Sequence, residues 1–277
     1  MAIRYQDCRF PRKELPMFQQ ITRLGLVSAL HQEQAGLIES MHNPQTVSRG
    51  MRDYVAGNLW GMDTVCVLSR IGKVAAAATV ATLIERFDVS HIVFTGVAGA
   101  VESDVQVGDI VVADSLAQYD MDATPLFPRY EVPLLGQSLF ASDKHLTDRL
   151  ADAAGAFLAR DLDAAIPGQE RDTFRLASPR VFRGLVASGD EFIDSQARQL
   201  ELKSAFPSLL AVEMEGAAVA QVCFEFGVPF AVIRTISDSA NEASPHDFMQ
   251  FIESVASRYA FGVIKRMCEM GSRLPPA

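Results

Sequence analysis

Cysteine is scarce: Cys8, Cys66, Cys223 and Cys268 lie far apart, with no C-x-x-C pair among them. That spacing offers no thiolate metal site and gives little support to a disulfide scaffold in a chain of this size. The histidines, His31, His42, His91, His145 and His246, show no ligand spacing either, so neither a metal nor another cofactor is expected. Basic residues are outnumbered, 25 Lys and Arg against 34 Asp and Glu, for a net charge of −9 and a pI near 5.1. No run of Lys or Arg stands out. A nucleic-acid footprint needs a basic face that releases counterions, so no nucleic-acid partner is expected. Long apolar runs are missing as well, since nothing approaches the roughly 18 uninterrupted residues of a membrane span. The stretch "MAIRYQDCRFPRKELPMFQQ" lacks the apolar centre of a secretory signal. The expectation is a cytoplasmic chain with no membrane partner. Residues 1–22 read as an N-terminal extension, 23–270 as one domain, and 271–277 as a C-terminal tail.

What the chain has is apolar residue in short blocks. Of its 277 residues 49% are hydrophobic, enough for a large core. β-Branched runs read as strands at 23–30, 63–69, 91–100, 108–114, 183–190, 209–215 and 229–238. Alanine-rich runs with helix-favouring composition fall between them, at 72–87, 143–162 and 216–226, the last ended by Gly227 and Pro229. Residues 247–270 read as one long closing helix, and 115–142 and 160–182 as the longest irregular stretches. "TGVAGA" (95–100) reads as a tight glycine turn that lets backbone approach closely. Alternating strands and helices predict an α/β sheet covered on both faces.

Against that frame, "AVEMEGAAVA" (211–220) is anomalous, because it sets Glu213 and Glu215 in an apolar stretch where a strand ends and a helix begins. Ionised carboxylates are almost never fully buried without a partner. Two more acids share that position: Glu33 follows the strand at 23–30, and Asp238 ends the strand at 229–238. Ligands of α/β sheets bind outside the carboxyl ends of strands, so one sheet edge would collect all of these acids. Taken singly, each has an ordinary reading. Glu33 would be a solvated first-turn acid, Asp238 a strand-end turn residue, and Glu215 a first-turn acid of its helix. Glu213 would be structural, paired with Arg234.

The motifs "GLVSALHQEQAGL" (25–37), "RIGKVAAA" (70–77), "TGVAGA", "VGDIVVAD" (107–114), "ASGDEFI" (187–193), "AVEMEGAAVA" and "VIRTISD" (232–238) occur in this order. Together they resemble the 5'-methylthioadenosine/S-adenosylhomocysteine nucleosidases, within the purine-nucleoside and uridine phosphorylase superfamily. The resemblance runs from about residue 23 to 265. It implies a three-layer αβα fold with a central mixed twisted sheet, a nucleoside substrate, no cofactor and a homodimer. It also implies hydrolysis of the bond between adenine and ribose. By the same resemblance, Glu33 activates the attacking water and Asp238 protonates adenine N7. Glu215 holds the ribose hydroxyls, Met214 packs on the sugar, Phe192 stacks on adenine and the Ile193 backbone reads its edge. Phe248 lines the sugar side and Ile71 the apolar pocket. Without the resemblance, Phe192 would be a core aromatic and Phe248 ordinary helix packing.

Such a division of labour is sound chemistry. Glycosidic cleavage passes through an oxocarbenium-like state, and two carboxyl groups serve as acid and base when their environments differ. Each contribution is typically worth about 10²–10⁴-fold in rate. The chain departs from the family in places. Val97 stands where many members have serine near the catalytic aspartate, and Arg70 where glycine is common. The loop at 120–136, which in the family closes the 5' pocket across a dimer interface, is proline-rich and diverged. Phosphorylase relatives hold phosphate with arginine and serine near the glycine stretch; here those positions are Phe94 and Val97, which favours water as nucleophile. Arg70 and Arg234 remain as alternative anion ligands. A phosphate-dependent phosphorylase of the same fold, or a nucleoside-binding relative without turnover, are the competing readings.

Overall fold

A computed structural model describes residues 20–271. Most of the expected N-terminal extension, Cys8 and most of the C-terminal tail lie outside the described residues. The elements follow in the order β1 (Leu24–Ser28), β2 (His42–Arg49), β3 (Arg52–Leu59), β4 (Met62–Leu68), α1 (Lys73–Phe87), β5 (His91–Ala100), β6 (Ile110–Gln118) and β7 (Phe140–Ala141). The second half contains α2 (Lys144–Arg160), the short α3 (Leu162–Ala165) and α4 (Gly168–Thr173), β8 (Val181–Ser188), α5 (Gln196–Ala205), β9 (Leu209–Glu213), α6 (Gly216–Phe226), β10 (Phe230–Asp238), α7 (Ser244–Phe251) and α8 (Ser257–Gly271).

The strands form one mixed sheet in the order β10-β6-β8-β9-β5-β1-β4-β3-β2, with β7 on the side of β6. Strand β5 also pairs with β10, so β5, β10, β6, β8 and β9 return on themselves as a closed barrel from which β1, β4, β3 and β2 extend. Parallel pairs dominate the centre (β1 with β4 and β5, β5 with β10, β8 with β6 and β9), and β1 and β10 are buried along their whole length. Such strands read as continuous apolar runs rather than alternations, as "LGLVS" and "FAVIRTISD" do. Helices α1 and α6 pack together on one face, over Val27, Val65 and Phe94. Helices α2 and α8 pack on the other, over Leu26, Val93 and Ile233. This is the three-layer αβα arrangement with a mixed central sheet.

Local chemistry sets the helix ends. Asp143 caps α2 by accepting the Leu146 N–H at 2.8 Å. Helix α6 stops where Gly227 turns left-handed, with φ 68°. The closing helix predicted over 247–270 is real but not uniform, because a π turn at Ile252–Ala256 separates α7 from α8. The stretches read as irregular hold β7 and the short α3 and α4. The glycine turn predicted at 95–100 is absent: β5 runs straight through Gly96 and Gly99, although both do permit a close approach.

Candidate active site

The sheet edge at the ends of β1, β8, β9 and β10 opens into a cavity of about 150 Å³. Every residue nominated from the sequence lines it: Glu33, Ile71, Phe192, Ile193, Met214, Glu215, Asp238 and Phe248. Leu30, Val97, Glu191 and Ser237, which had no nominated role, line it too.

Glu33 ends a single tight turn, His31–Glu33, that follows β1 directly, and it is buried rather than solvated. One oxygen, Oε2, accepts the N–H groups of Ala29 at 2.8 Å and Leu30 at 2.9 Å; the other, Oε1, accepts the Val97 N–H at 3.1 Å. Burial pushes its pKa upward, opposed by the Arg234 charge and by those N–H donors. The carboxylate reaches β5 only because residue 96 is glycine. A Cβ there would sit 2.7 Å from Glu33 Oε1 and 2.9 Å from Arg234 Nη1.

Asp238 closes β10 as a buried side chain. Ser237 Oγ donates to its Oδ2 at 2.8 Å, and the Ala240 N–H to its Oδ1 at 2.9 Å. Burial again raises the pKa most, while Ser244, Ala240 and Ser237 pull it down and Asp247 adds a smaller upward push. Val97 supplies no hydroxyl here, but Ser237 and Ser244 do, so the departure at position 97 does not leave the aspartate without hydroxyl partners. Gly99 faces this carboxyl closely, since a Cβ on it would lie 2.9 Å from Oδ1.

Glu215 occupies the N-cap position of α6, but its side chain turns away from the helix end, and its Oε1 accepts the Gly72 N–H at 2.8 Å. Burial, and then the charge of Glu213, push its pKa up to about 8. Glu213 has a different role. It is buried and paired with Arg234 Nη2 at 2.6 Å, as the sequence suggested. It also accepts the Ser188 hydroxyl and the N–H groups of Glu215 at 3.1 Å and Gly216 at 2.8 Å. A buried charge requires such saturation, because desolvation otherwise costs several kcal/mol. Arg234 lies with its guanidinium 4.0 Å above the Phe94 ring, buried beside the cavity and within electrostatic reach of both Glu33 and Glu215. The sequence signal for it was an arginine inside the apolar run "FAVIRTISD".

The apolar wall is partly open. Phe192 is 41% and Ile71 53% exposed, while Ile193 is buried. The Phe192 and Phe248 rings meet edge to face, with centroids 5.7 Å apart. Among the described residues, no group of three or more His, Cys, Asp or Glu side chains could hold a metal ion. The cavity thus offers one carboxyl group saturated with N–H donors, a second bonded to hydroxyls, a third beside a glycine amide, and a pair of rings.

Residues 23–269 match the phosphorylase superfamily model. The chain is 34% identical to the 5'-methylthioadenosine/S-adenosylhomocysteine nucleosidase of Shewanella halifaxensis over 244 residues, 87% of this chain and 97% of that one. The nucleosidase of Neisseria meningitidis, solved with methylthio-immucillin-A, superposes with a TM-score of 0.79 at 32% identity, covering 90% of this chain and 100% of its own. The futalosine hydrolase of Helicobacter pylori superposes with a TM-score of 0.75 at 29% identity, covering 89% of this chain and 97% of its own.

Proposed function

The chain belongs to the 5'-methylthioadenosine/S-adenosylhomocysteine nucleosidase family of the phosphorylase superfamily, and from that premise we propose that it hydrolyses the N-glycosidic bond of 5'-thioadenosines. The products are adenine and a 5-thioribose. The observation that carries this reading is the convergence of Glu33, Glu215 and Asp238, from three separate parts of the chain, on one cavity. Binding alone does not require an acid and a base.

In this reading, Asp238 is protonated when substrate binds and gives its proton to adenine N7. The electron pair of the breaking bond to C1' then settles in a neutral base. Glu33 takes a proton from water as the water oxygen bonds to C1'. Glu215 accepts the ribose hydroxyls, whose hydrogen bonds replace the hydration it loses on burial. Met214 packs on the sugar, Phe192 stacks on adenine, the Ile193 backbone reads its edge, Phe248 lines the sugar side and Ile71 the apolar pocket. Water is favoured over phosphate because the candidate anion ligands are occupied: Arg234 is committed to Glu213, and exposed Arg70 donates to the Met51 carbonyl at 2.7 Å.

One domain, residues 23–270, carries the reaction in the cytoplasm, and two copies assemble. The dimer is supported by apolar side chains in water: Leu126 is 82% and Leu134 69% exposed on the loop at 120–136, with Val74 80% exposed on nearby α1. No described helix is long and apolar enough to cross a membrane. Replacing Asp238 by Asn removes the proton donor while keeping its size. Turnover of methylthioadenosine is expected to fall by at least about 10²-fold with circular dichroism unchanged. Near-wild-type rates in that variant would remove Asp238 from the mechanism.

A further inference from the structure

We propose that Lys73, Asp120 and Asp190 are positioning residues for the sugar site, forming a clasp that holds the Gly72 N–H on Glu215. The inference rests on the functional reading above and assigns side chains that touch neither water nor substrate in it.

Gly72 lies in the bend between β4 and α1, with φ 97°, two residues after Arg70 at φ 71°. Two consecutive N–H groups leave this bend in different directions. That of Gly72 goes to Glu215, and that of Lys73 goes to Asp190 Oδ1 at 2.8 Å. The Lys73 ammonium reaches across to Asp120 Oδ1 at 2.6 Å and Gln118 Oε1 at 2.9 Å, at the end of β6. Asp190 closes the ring, its own N–H donating to Asp120 Oδ2 at 3.0 Å. The bend is therefore tied to both β6 and the segment after β8. Asp190 directly precedes Glu191, Phe192 and Ile193 of the cavity wall. Gln118 extends the ring further, donating at 2.7 Å to Gln221 Oε1 on α6, the helix that directly follows Glu215.

Side-chain exposures of 16% for Lys73 and 28% for Asp120 mark a pair more shielded than an ordinary surface ion pair. A glycine bend does not set its own direction, because the left-handed region costs glycine nothing and many neighbouring conformations are open to it. Without the ring, the Gly72 N–H is free to swing off Glu215. The Glu215 carboxylate would then lose a donor to its charged form, and its affinity for a proton would rise.

The test uses the full chain with Lys73→Met, Lys73→Arg and Asp120→Asn. In Lys73→Met the KM for methylthioadenosine is expected to rise about tenfold with kcat within about twofold, since ground-state sugar binding is what weakens. Inhibition by free adenine, which has no ribose, stays as in wild type. Lys73→Arg restores the pairing and the KM, and Asp120→Asn reproduces the loss should the methionine variant fold poorly. A second arm needs no substrate. The carboxyl ¹³C resonance of Glu215, assigned by its disappearance in Glu215→Gln, should titrate at higher pH in Lys73→Met than in wild type and return in Lys73→Arg. An unmoved Glu215 titration would overturn the clasp, as would a KM and an adenine inhibition constant that rise together. If wild type releases no adenine, the functional reading fails while the resonance still decides the clasp.

Discussion

Glu215 carries a large pH signature at the scale of single residues. Its pKa near 8 means the folded chain keeps a proton that the unfolded chain has released above the ordinary carboxylate range. Between about pH 4.5 and 8 the folded state therefore binds more protons, and stability falls as pH rises through that window. Glu215→Gln removes this contribution. Denaturant melts from pH 5 to 8 should show wild type losing stability relative to the variant; parallel curves would mean that Glu215 is ionised in the free protein throughout. The acids were legible in the sequence because carboxylates interrupt apolar strand ends, where burial needs a reason. Arg234 was legible as a partner for Glu213 or as an anion ligand. Its seat over Phe94 and its proximity to Glu33 depend on which strands lie side by side, and a single chain does not display that.

Among the elements, β5 constrains the site most tightly. Its glycines are there for neighbouring side chains rather than for a turn, so Gly96→Ala is a severe test of a small change. The added methyl would overlap both Glu33 and Arg234, side chains pinned by hydrogen bonds and unable to retreat cheaply. Activity is expected to drop at least about 100-fold, with a destabilisation of about 1–3 kcal/mol measured by urea melts. A fully active Gly96→Ala enzyme would mean that Glu33 is not held where the catalytic base has to be. The misreading of "TGVAGA" as a turn has the same origin, since glycine signals close approach without saying whether chain reversal or a neighbour causes it. Helix α6, with apolar faces and a Gly227 stop, was readable to its ends. The hairpin of β2 and β3 was not: "HNPQTVSR" is exposed along its whole length and carries no alternation of apolar and polar residues to mark a strand. Helix α5 was missed because "QARQLELKSA" buries little besides Leu202.

For the whole molecule, the order of strands and helices predicted the layers, because buried parallel strands and alanine-rich helices have strong local signatures. Closure of β5, β10, β6, β8 and β9 into a barrel did not show, since pairing between distant strands leaves no local mark. The exposed apolar residues of the 120–136 loop and α1 predict that the protein sediments as a dimer, and that Leu126→Asp with Leu134→Asp shifts it toward monomer. A wild-type monomer at micromolar concentration would leave that surface without the proposed occupant.

The central claim is that water, activated at Glu33, attacks C1' while Asp238 protonates the leaving adenine. Its most direct test is to incubate the purified protein with methylthioadenosine, with and without inorganic phosphate, and identify both products. Free adenine and free methylthioribose at equal rates in the two buffers are the predicted result. A sugar 1-phosphate formed only when phosphate is present would contradict the account, making the enzyme a phosphorylase and Glu33 something other than the base for water.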